Sequence, residues 1–255
     1  MSIIAVTGAA SGIGAAVCNH LEAAGHTLIR VDRANADVNA DLSTSDGRRA
    51  AVEQTLAACN NQLDAVVACA GVGVTAPSIS LIVGVNYFGV TEYIDGLEEA
   101  LAASGKGKAV IIGSVAGSHQ VEAPHAMADA MLNNDEAEAC RIAEASQEPH
   151  TTYAASKYAV TVYGRRKSIA WGKRGMRLNI IAPGAVETPL HQASKDDPRF
   201  GEAVKNFVAP MGRSGVPDEI ADGVDFLLSD HSAFVNGSVL FIDGGMDAMV
   251  RSTRF

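Results

Sequence analysis

The stretch Thr7-Gly8-Ala9-Ala10-Ser11-Gly12-Ile13-Gly14 decides the fold, because it places three glycines between an apolar run and a helical one. Residues 2–7 before it predict a buried strand, and residues 13–24 after it predict a helix. Glycine allows a tight turn and a close approach of the backbone to a ligand. The N-terminus of the helix offers free N–H groups and a positive dipole end to a pyrophosphate. The GxxxGxG spacing alone is equally typical of an ordinary glycine-rich turn.

Beyond this turn, apolar runs and helical stretches alternate to the end of the chain. Strands are predicted at residues 2–7, 27–31, 36–39, 64–69, 108–113, 176–181 and 238–242. These runs are nearly continuous in apolar residues, which is the pattern of strands covered on both faces. The sequence therefore predicts a single α/β domain over residues 1–255, built on a doubly wound, mostly parallel, seven-stranded Rossmann-type sheet.

Composition and charge narrow the classes of function. The formal net charge is -9, so the chain repels phosphate backbones and no nucleic-acid partner is predicted. No apolar run reaches the ~18 residues that a membrane helix needs, so no membrane partner is predicted. The first residues enter a strand without a basic leader, and the four cysteines lack CxxC spacing. We therefore expect a cytoplasmic protein with reduced thiols.

Residues 115–152 interrupt the alternation of strands and helices. They are rich in Ala, Met and Glu, which predicts a helical insertion rather than a separate domain. His119, His125 and His150 lie in or beside this segment. Three histidines can bind a metal, but solvent-facing histidines are more common, so no metal site is predicted.

Asp32 ends the second predicted strand, 18 residues beyond Gly14. A carboxylate at this place can accept hydrogen bonds from the adenosine ribose and would repel a 2′-phosphate. NAD is therefore favoured over NADP as the cofactor. Arg33 follows directly and is able to pair with a phosphate, so NADP stays open.

Tyr153 and Lys157 are four residues apart and share one face of a predicted helix. A nearby ammonium favours the phenolate, so we expect Lys157 to lower the pKa of Tyr153 and suit it to proton transfer. Ser114 ends the fifth strand at the carboxyl edge of the sheet, where ligands bind. Its hydroxyl is expected to hydrogen-bond the reacting oxygen. Each residue alone has a common structural explanation, and their combination carries the prediction.

Together these motifs resemble the short-chain dehydrogenase/reductase family over almost the whole chain. The glycine turn is similar to the family's cofactor loop, and Asp41-Leu42 to its adenine-contacting pair. Asp243-Gly244-Gly245 resembles the C-terminal signature of the family. The resemblance implies an NAD-dependent oxidoreductase that interconverts a secondary alcohol and a ketone.

The resemblance also implies the roles of individual residues. Val85-Asn86, Ser114, Tyr153 and Lys157 match the Asn-Ser-Tyr-Lys tetrad of the family. In it, Asn86 bends a helix and holds a water in a proton relay from Lys157. The residues expected to bind the cofactor are Gly8, Ser11, Gly12, Ile13, Gly14, Asp32, Asp41, Leu42, Ala70, Gly71, Tyr153, Lys157, Pro183, Gly184, Val186 and Thr188.

One position departs from the family pattern. Where the family has Asn-Ala-Gly after the fourth strand, this chain has Cys69-Ala70-Gly71. Cys cannot make the hydrogen bonds of an amide, so a local structural substitution without loss of chemistry is expected. A nucleophilic Cys69 is the weaker alternative, because a cysteine in an apolar strand is usually inert.

The substrate is expected to be a small apolar ketone or alcohol. The family's mobile lid corresponds to residues 189–212, where Leu190, Phe207 and Met211, with Phe200, could form an apolar wall or simply pack the lid. The insertion, Cys69 and the C-terminal tail resemble the bacterial 3α-hydroxysteroid dehydrogenase/carbonyl reductase branch of the family, which implies a steroid or another bulky alicyclic ketone.

Oligomeric state and alternative functions follow from the same resemblance. The insertion precedes the Tyr153 helix, whose outer face commonly pairs subunits in the family, so a homodimer through the helix at 218–228 and the strand at 238–242 is expected. A 3-oxoacyl thioester reductase is one alternative, but it would prefer NADP and need basic docking residues. A non-catalytic nucleotide-sensing protein is another, although both Tyr153 and Lys157 are present.

Overall fold

The computed structural model describes residues 1–120 and 125–254 of the chain. Within these residues, seven parallel strands form one sheet in the order β3-β2-β1-β4-β5-β6-β7. They are β1 (Ile3–Thr7), β2 (Thr27–Asp32), β3 (Val38–Asn39), β4 (Ala65–Ala68), β5 (Lys108–Ile112), β6 (Arg177–Pro183) and β7 (Val239–Ile242). The predicted doubly wound α/β fold is confirmed.

The third strand is shorter than the predicted 36–39. Asn39 accepts a hydrogen bond from the Ala36 amide through its side-chain oxygen at 3.3 Å, and donates to the Ala36 carbonyl at 3.0 Å. Asn35 has a left-handed φ of 57°. The chain therefore turns at residues 35–36, and only Val38–Asn39 pairs with β2.

Helices cover both faces of the sheet. They are α1 (Gly12–Ala23), α2 (Ser45–Ala58), α3 (Ile79–Val83), α4 (Gly89–Gly96), α5 (Glu98–Ala103), α6 (Ala126–Leu132), α7 (Glu136–Ser146), α8 (Pro149–Lys173), α9 (Pro189–Asp196), α10 (Gly201–Asn206), α11 (Pro217–Leu228) and α12 (Met246–Val250). On one face α1 and α11 bury apolar residues such as Val17 and Val224. On the other, α2, α4 and α8 do the same with residues such as Ala51, Ile94 and Trp171.

The connections reverse direction at β1, which pairs with β2 on one side and β4 on the other. Open parallel sheets bind ligands at such a switch point, outside the carboxyl ends of the strands. The glycine turn leaves β1 at this point, so the fold places it at the edge where a ligand binds.

The described part of segment 115–152 is helical. It contains a 3-10 helix at Val115–Gln120, helices α6 and α7, and the first turn of α8, while residues 121–124 and the side chain of His119 lie outside the described residues. Helix α6 packs on α8, and α7 packs on α3. Over the described ranges, no helix is long and apolar enough to cross a membrane.

Candidate active site

A cleft of about 510 Å³ opens at the carboxyl edge of the sheet, beside the glycine turn. The ends of β1, β2, β4, β5 and β6 contribute to its walls. The predicted residues that line it are Gly8, Ser11, Gly12, Ile13, Gly14, Asp32, Asp41, Leu42, Ala70, Gly71, Ser114, Tyr153, Lys157, Pro183, Gly184, Val186, Thr188 and Leu190. The fold thus brings together residues that are far apart in the sequence.

The glycine turn packs closely against the loop after β4 and leaves the start of α1 open to the cleft. Gly8 has a φ of +68°, and a Cβ there would lie 2.8 Å from the Cα of Ala70 on the neighbouring strand end. Ser11 caps α1 in an extended conformation without a side-chain hydrogen bond to the helix. The first-turn N–H groups and the helix dipole are therefore directed at the cleft, which fits a dinucleotide pyrophosphate.

Asp32 lies at the end of β2 and lines the same cleft. Its Oδ2 accepts a hydrogen bond from the Ala10 amide at 3.0 Å, and its Oδ1 accepts one from the Arg33 amide at 2.7 Å. These bonds fix the carboxylate against the glycine turn. Each oxygen keeps a further lone pair for the hydroxyls of a ribose.

The predicted Ser114, Tyr153 and Lys157 line the same cleft. Ser114 lies close enough to the Tyr153 hydroxyl to lower the pKa of the phenol. Lys157 Nζ lies 5.9 Å from the centroid of the Tyr153 ring and donates to the Ile112 carbonyl at 3.0 Å. Lys157 is only 5% exposed. The phenol, the hydroxyl and the amine therefore face one space that a substrate can enter.

The pKa of Tyr153 differs from the expectation. Burial raises the pKa of its hydroxyl above the ordinary value, and the hydrogen bond with Ser114 offsets part of the rise. Burial also lowers the pKa of the Lys157 amine to about 8. The expectation of a phenol acidified by its neighbouring cation is wrong for the protein without cofactor, because desolvation disfavours both charged forms.

Asn86 lies behind the cleft rather than in its lining. It sits in a π-helical segment, Gly84–Phe88, that links α3 to α4. Its side chain is buried, accepts from the Val72 amide at 2.8 Å, and donates to the Val72 carbonyl at 3.0 Å. A Cβ on Gly71 would lie 3.3 Å from Asn86 Oδ1 and 3.5 Å from Lys157 Nζ. Asn86 therefore clamps the loop after β4 next to Lys157.

Cys69 lines the cleft, and burial raises the pKa of its thiol far above the ordinary value. A thiol that holds its proton is a poor nucleophile. The Thr7 hydroxyl accepts a hydrogen bond from the Ala70 amide at 3.1 Å. Thr7 thereby fixes the strand end where Cys69 has no amide side chain to offer.

The lid residues 189–212 separate into two groups. Leu190 lines the cleft, and a Cβ on Gly73 would lie 3.0 Å from its Cδ2. Phe207 and Met211 are outside the described cleft lining: Phe207 borders a second cavity and Met211 is 67% exposed. The loop after α10 turns them away from the cleft, because Met211 is hydrogen-bonded through its amide to the Gly244 carbonyl.

His150 is a cleft residue that the sequence did not indicate. It lies in the first turn of α8, and its ring packs edge-on against Phe200 of the lid, with centroids 4.5 Å apart. Val72, Val74 and Leu81 add apolar surface nearby. Among the described residues, no group of three His, Cys, Asp or Glu side chains is placed to hold a metal ion.

The fold and the site together define a nicotinamide-dependent oxidoreductase. The glycine turn and the Tyr153 phenol line one cleft at the switch point of a parallel sheet, where such folds bind nucleotides. The residues present fit such a cofactor, because the N-terminus of α1 lines the cleft without a side-chain cap and can receive the pyrophosphate.

The chain belongs to the short-chain dehydrogenase/reductase family. A family model described as short chain dehydrogenase matches residues 2–128, and one described as enoyl-(acyl carrier protein) reductase matches residues 139–247. The chain is 46% identical to the 3-alpha-hydroxysteroid dehydrogenase/carbonyl reductase of Comamonas testosteroni, over 100% of both chains. It is 34% identical to D-threitol dehydrogenase of Mycolicibacterium smegmatis, over 94% of this chain and 90% of that one.

Solved structures give the same result. The 3-alpha-hydroxysteroid dehydrogenase from Pseudomonas sp. B-0831, complexed with NADH, matches with a TM-score of 0.96 and 53% identity, covering 100% of both chains. Levodione reductase matches with a TM-score of 0.76 and 28% identity, over 97% of this chain and 98% of that one. The predicted family, its resemblance to the hydroxysteroid dehydrogenase branch and the oxidoreductase class are confirmed.

Proposed function

We propose that this chain is an NAD(H)-dependent dehydrogenase that interconverts a 3α-hydroxysteroid, or a similarly bulky alicyclic alcohol, with its ketone. The observation that carries the proposal is that Ser114, Tyr153 and Lys157 line the same cleft as the glycine turn. The relatives named for hydroxysteroids match the chain over its full length, which supports the substrate class.

Proton transfer is assigned to Tyr153. When bound, a nicotinamide cofactor would supply the hydride for reduction of the carbonyl carbon and would take it up in oxidation of the carbinol carbon. In reduction, the Tyr153 hydroxyl gives its proton to the substrate oxygen, and in oxidation the phenolate takes the proton back. Ser114, which lies beside the same phenol, holds the substrate oxygen in place. The raised pKa of Tyr153 keeps the phenol protonated near neutral pH, which suits it to carbonyl reduction.

Lys157 and Asn86 are assigned to support that transfer. Lys157 would bind the nicotinamide ribose, and its buried amine has a pKa of about 8, so it can exchange a proton near neutral pH. Asn86 holds the loop after β4 through both of its bonds to Val72. A water held between Asn86 and Lys157 would complete a proton relay to the phenol.

A preference for NAD over NADP is supported by Asp32. Its carboxylate is anchored by two backbone amides at the end of β2, where a 2′-phosphate would bring a second negative charge. Arg33, the next residue, also lines the cleft, and its positive charge opposes the negative charge of Asp32. The fixed position of the carboxylate supports NAD as the cofactor.

The cleft supports an uncharged, apolar substrate. Val72, Val74, Leu81 and Leu190 are among its lining residues. The alternative of an acyl thioester reductase would require basic residues free to dock the carrier. Lid residues Lys195 and Arg199 are instead paired with Glu187 and Asp197 at 2.7 and 2.8 Å.

A homodimer is proposed through α11 and β7. Strand β7 is the last strand of the sheet order and its residues are only partly buried. Phe226 of α11 is 43% exposed, and Phe234 in the following loop is fully exposed. Light scattering of wild type should give a dimer, and Phe226→Glu should give a monomer. Ile169→Glu, an exposed position on α8, should leave the dimer intact. A wild-type monomer or tetramer contradicts this interface.

Substrate class is tested by following NADH absorbance with a panel of carbonyl compounds and alcohols. A 3α-hydroxysteroid such as androsterone with NAD+ should be turned over faster than a 3-oxoacyl thioester with NADPH. The 3β-epimer of the same steroid is the matched control for stereochemistry. No turnover of the 3α-hydroxysteroid refutes the substrate assignment, and no turnover of any compound supports a nucleotide-sensing protein instead.

A further inference from the structure

The insertion is joined to the body of the protein by a buried arginine. Arg48 on α2 is 1% exposed and donates from Nε to Glu92 of α4 at 2.7 Å. Its two terminal nitrogens donate to Glu136 of α7 at 3.1 and 2.6 Å. The second pair is a two-pronged ion pair, the strongest geometry for an arginine and a carboxylate. Glu136 thus makes a charged contact between the insertion and helix α2.

The same guanidinium faces the backbone of a cleft loop. Arg48 Nη1 lies 3.5 Å from the Leu42 carbonyl oxygen and 3.4 Å from that of Ser43. Leu42 and its neighbour Asp41 line the cleft at the end that the family resemblance assigns to adenine. Arg48 therefore connects the insertion to a loop that would touch the cofactor.

Two glycines of neighbouring helical segments approach the same two carbonyl groups closely. A Cβ on Gly84 would lie 3.0 Å from the Ser43 carbonyl oxygen, and one on Gly89 would lie 3.1 Å from the Leu42 carbonyl oxygen. The Leu42 and Ser43 carbonyls are thus enclosed by the Arg48 guanidinium, the π-helical segment and the start of α4. Without Glu136, the guanidinium would lose both carboxylate contacts of its terminal nitrogens and keep only the Nε bond to Glu92, so Nη1 would be free to turn away from the two carbonyls.

We propose that Glu136 is a positioning residue for cofactor binding, acting through Arg48 to hold the Leu42–Ser43 backbone in its binding conformation. The inference rests on the proposed function, because the ligand of this loop is the adenine end of the cofactor. If the loop is competent for only part of the time, the apparent affinity falls in proportion to that fraction. The insertion then strengthens cofactor binding from outside the cleft.

The chain offers a matched control on the same helix turn. Glu136 and Glu138 both lie in the first turn of α7, so replacing either removes the same favourable interaction with the helix dipole. Glu138 also pairs with an arginine, Arg141, at 2.7 Å, but on the surface of its own helix. Alanine is a good helix former, so both variants are expected to fold, and thermal unfolding verifies it.

Binding is measured for Glu136→Ala, Glu138→Ala and wild type with three probes. NADH is titrated by fluorescence, and adenosine monophosphate and reduced nicotinamide mononucleotide by calorimetry. Glu136→Ala should weaken NADH and adenosine monophosphate by about 3- to 10-fold, the effect of a competent fraction lowered to about a third or a tenth. Its affinity for the mononucleotide, and all affinities of Glu138→Ala, should match wild type.

Hydrogen exchange at residues 41–44 provides a readout that needs no ligand. Faster exchange there in Glu136→Ala, and unchanged exchange in Glu138→Ala, supports the positioning role. Wild-type affinity for NADH and adenosine monophosphate in Glu136→Ala overturns it, as does an equal loss for the mononucleotide. A wild-type protein that binds neither NADH nor NADPH contradicts the proposed function instead. In that case the exchange rates alone show whether Glu136 holds the loop at residues 41–44.

Discussion

Replacing Lys157 with methionine should make the protein more stable and inactive. Burial lowers the pKa of the amine from an ordinary 10.5 to about 8, which corresponds to roughly 3 kcal/mol of unfavourable free energy for the charged form. Methionine fills a similar volume without a charge. The variant loses the hydrogen bond to the Ile112 carbonyl, worth about 1 kcal/mol. The free energy of unfolding at pH 7 should therefore rise by about 2 kcal/mol.

The sign of the pH dependence follows from the same pKa. Below pH 8, Lys157 is charged in the folded and the unfolded states, and the cost is fully present. Between about 8 and 10.5 the folded state has lost the proton while the unfolded state still holds it, so wild-type stability rises with pH. The advantage of Lys157→Met should shrink over this range.

Urea denaturation without cofactor, at pH 7 and pH 10 and at fixed protein concentration, measures both effects. The matched control is Lys106→Met, because Lys106 is exposed at the end of a turn before β5. It should change the free energy of unfolding little at either pH. A Lys157→Met variant that is less stable than wild type at pH 7, or whose difference from wild type is the same at both pH values, refutes the reasoning.

Three further predictions concern the cofactor site and the phenol. Gly8→Ala should abolish NADH binding in fluorescence titration, because its Cβ would lie 2.8 Å from Ala70 Cα. The control Gly25→Ala, with a φ of +83° and no atom within 4 Å, should carry the backbone strain alone and bind NADH normally. Equal NADH affinities of the two variants would contradict this. Asp32→Ser should raise kcat/KM for NADP+ relative to NAD+ by about 10-fold or more, since one charge repulsion is removed, and an unchanged ratio would count against the proposed role of Asp32. Because the pKa of Tyr153 is raised, the rate of alcohol oxidation should increase from neutral to alkaline pH while ketone reduction decreases, and an oxidation profile that falls over this range would contradict the assignment.

The fold was predictable because its strands are apolar runs that are buried on both faces. Strands β4 and β5 are almost completely buried. Their continuous runs of Val, Ile and Ala contain no alternating polar positions, so the pattern indicates strands that are covered on both faces. The third strand was predicted too long because Asn39 closes a side-chain turn with Ala36. Such a local hydrogen bond competes with strand pairing and leaves no periodic signal.

The site could be predicted where sequence motifs identify its residues. It could not be predicted where side-chain packing determines the position or the pKa of a residue. Residues on strand ends and on one helix face, such as Ser114 and Tyr153, necessarily meet at the sheet edge. The direction of the Tyr153 pKa depends on desolvation, which spacing along a helix does not report. His150 enters the cleft only because helix α8 begins at Pro149, and Phe207 leaves it because the lid turns after α10.

The central claim is that the Tyr153 hydroxyl transfers the proton. Tyr153→Phe removes that hydroxyl alone, and Tyr158→Phe, on the same helix, is its control. With a 3-oxosteroid and NADH at neutral pH, kcat of Tyr153→Phe should fall by about 10²- to 10⁴-fold, while the Kd for NADH measured by fluorescence stays near the wild-type value. A Tyr153→Phe protein that turns over at the wild-type rate contradicts the account.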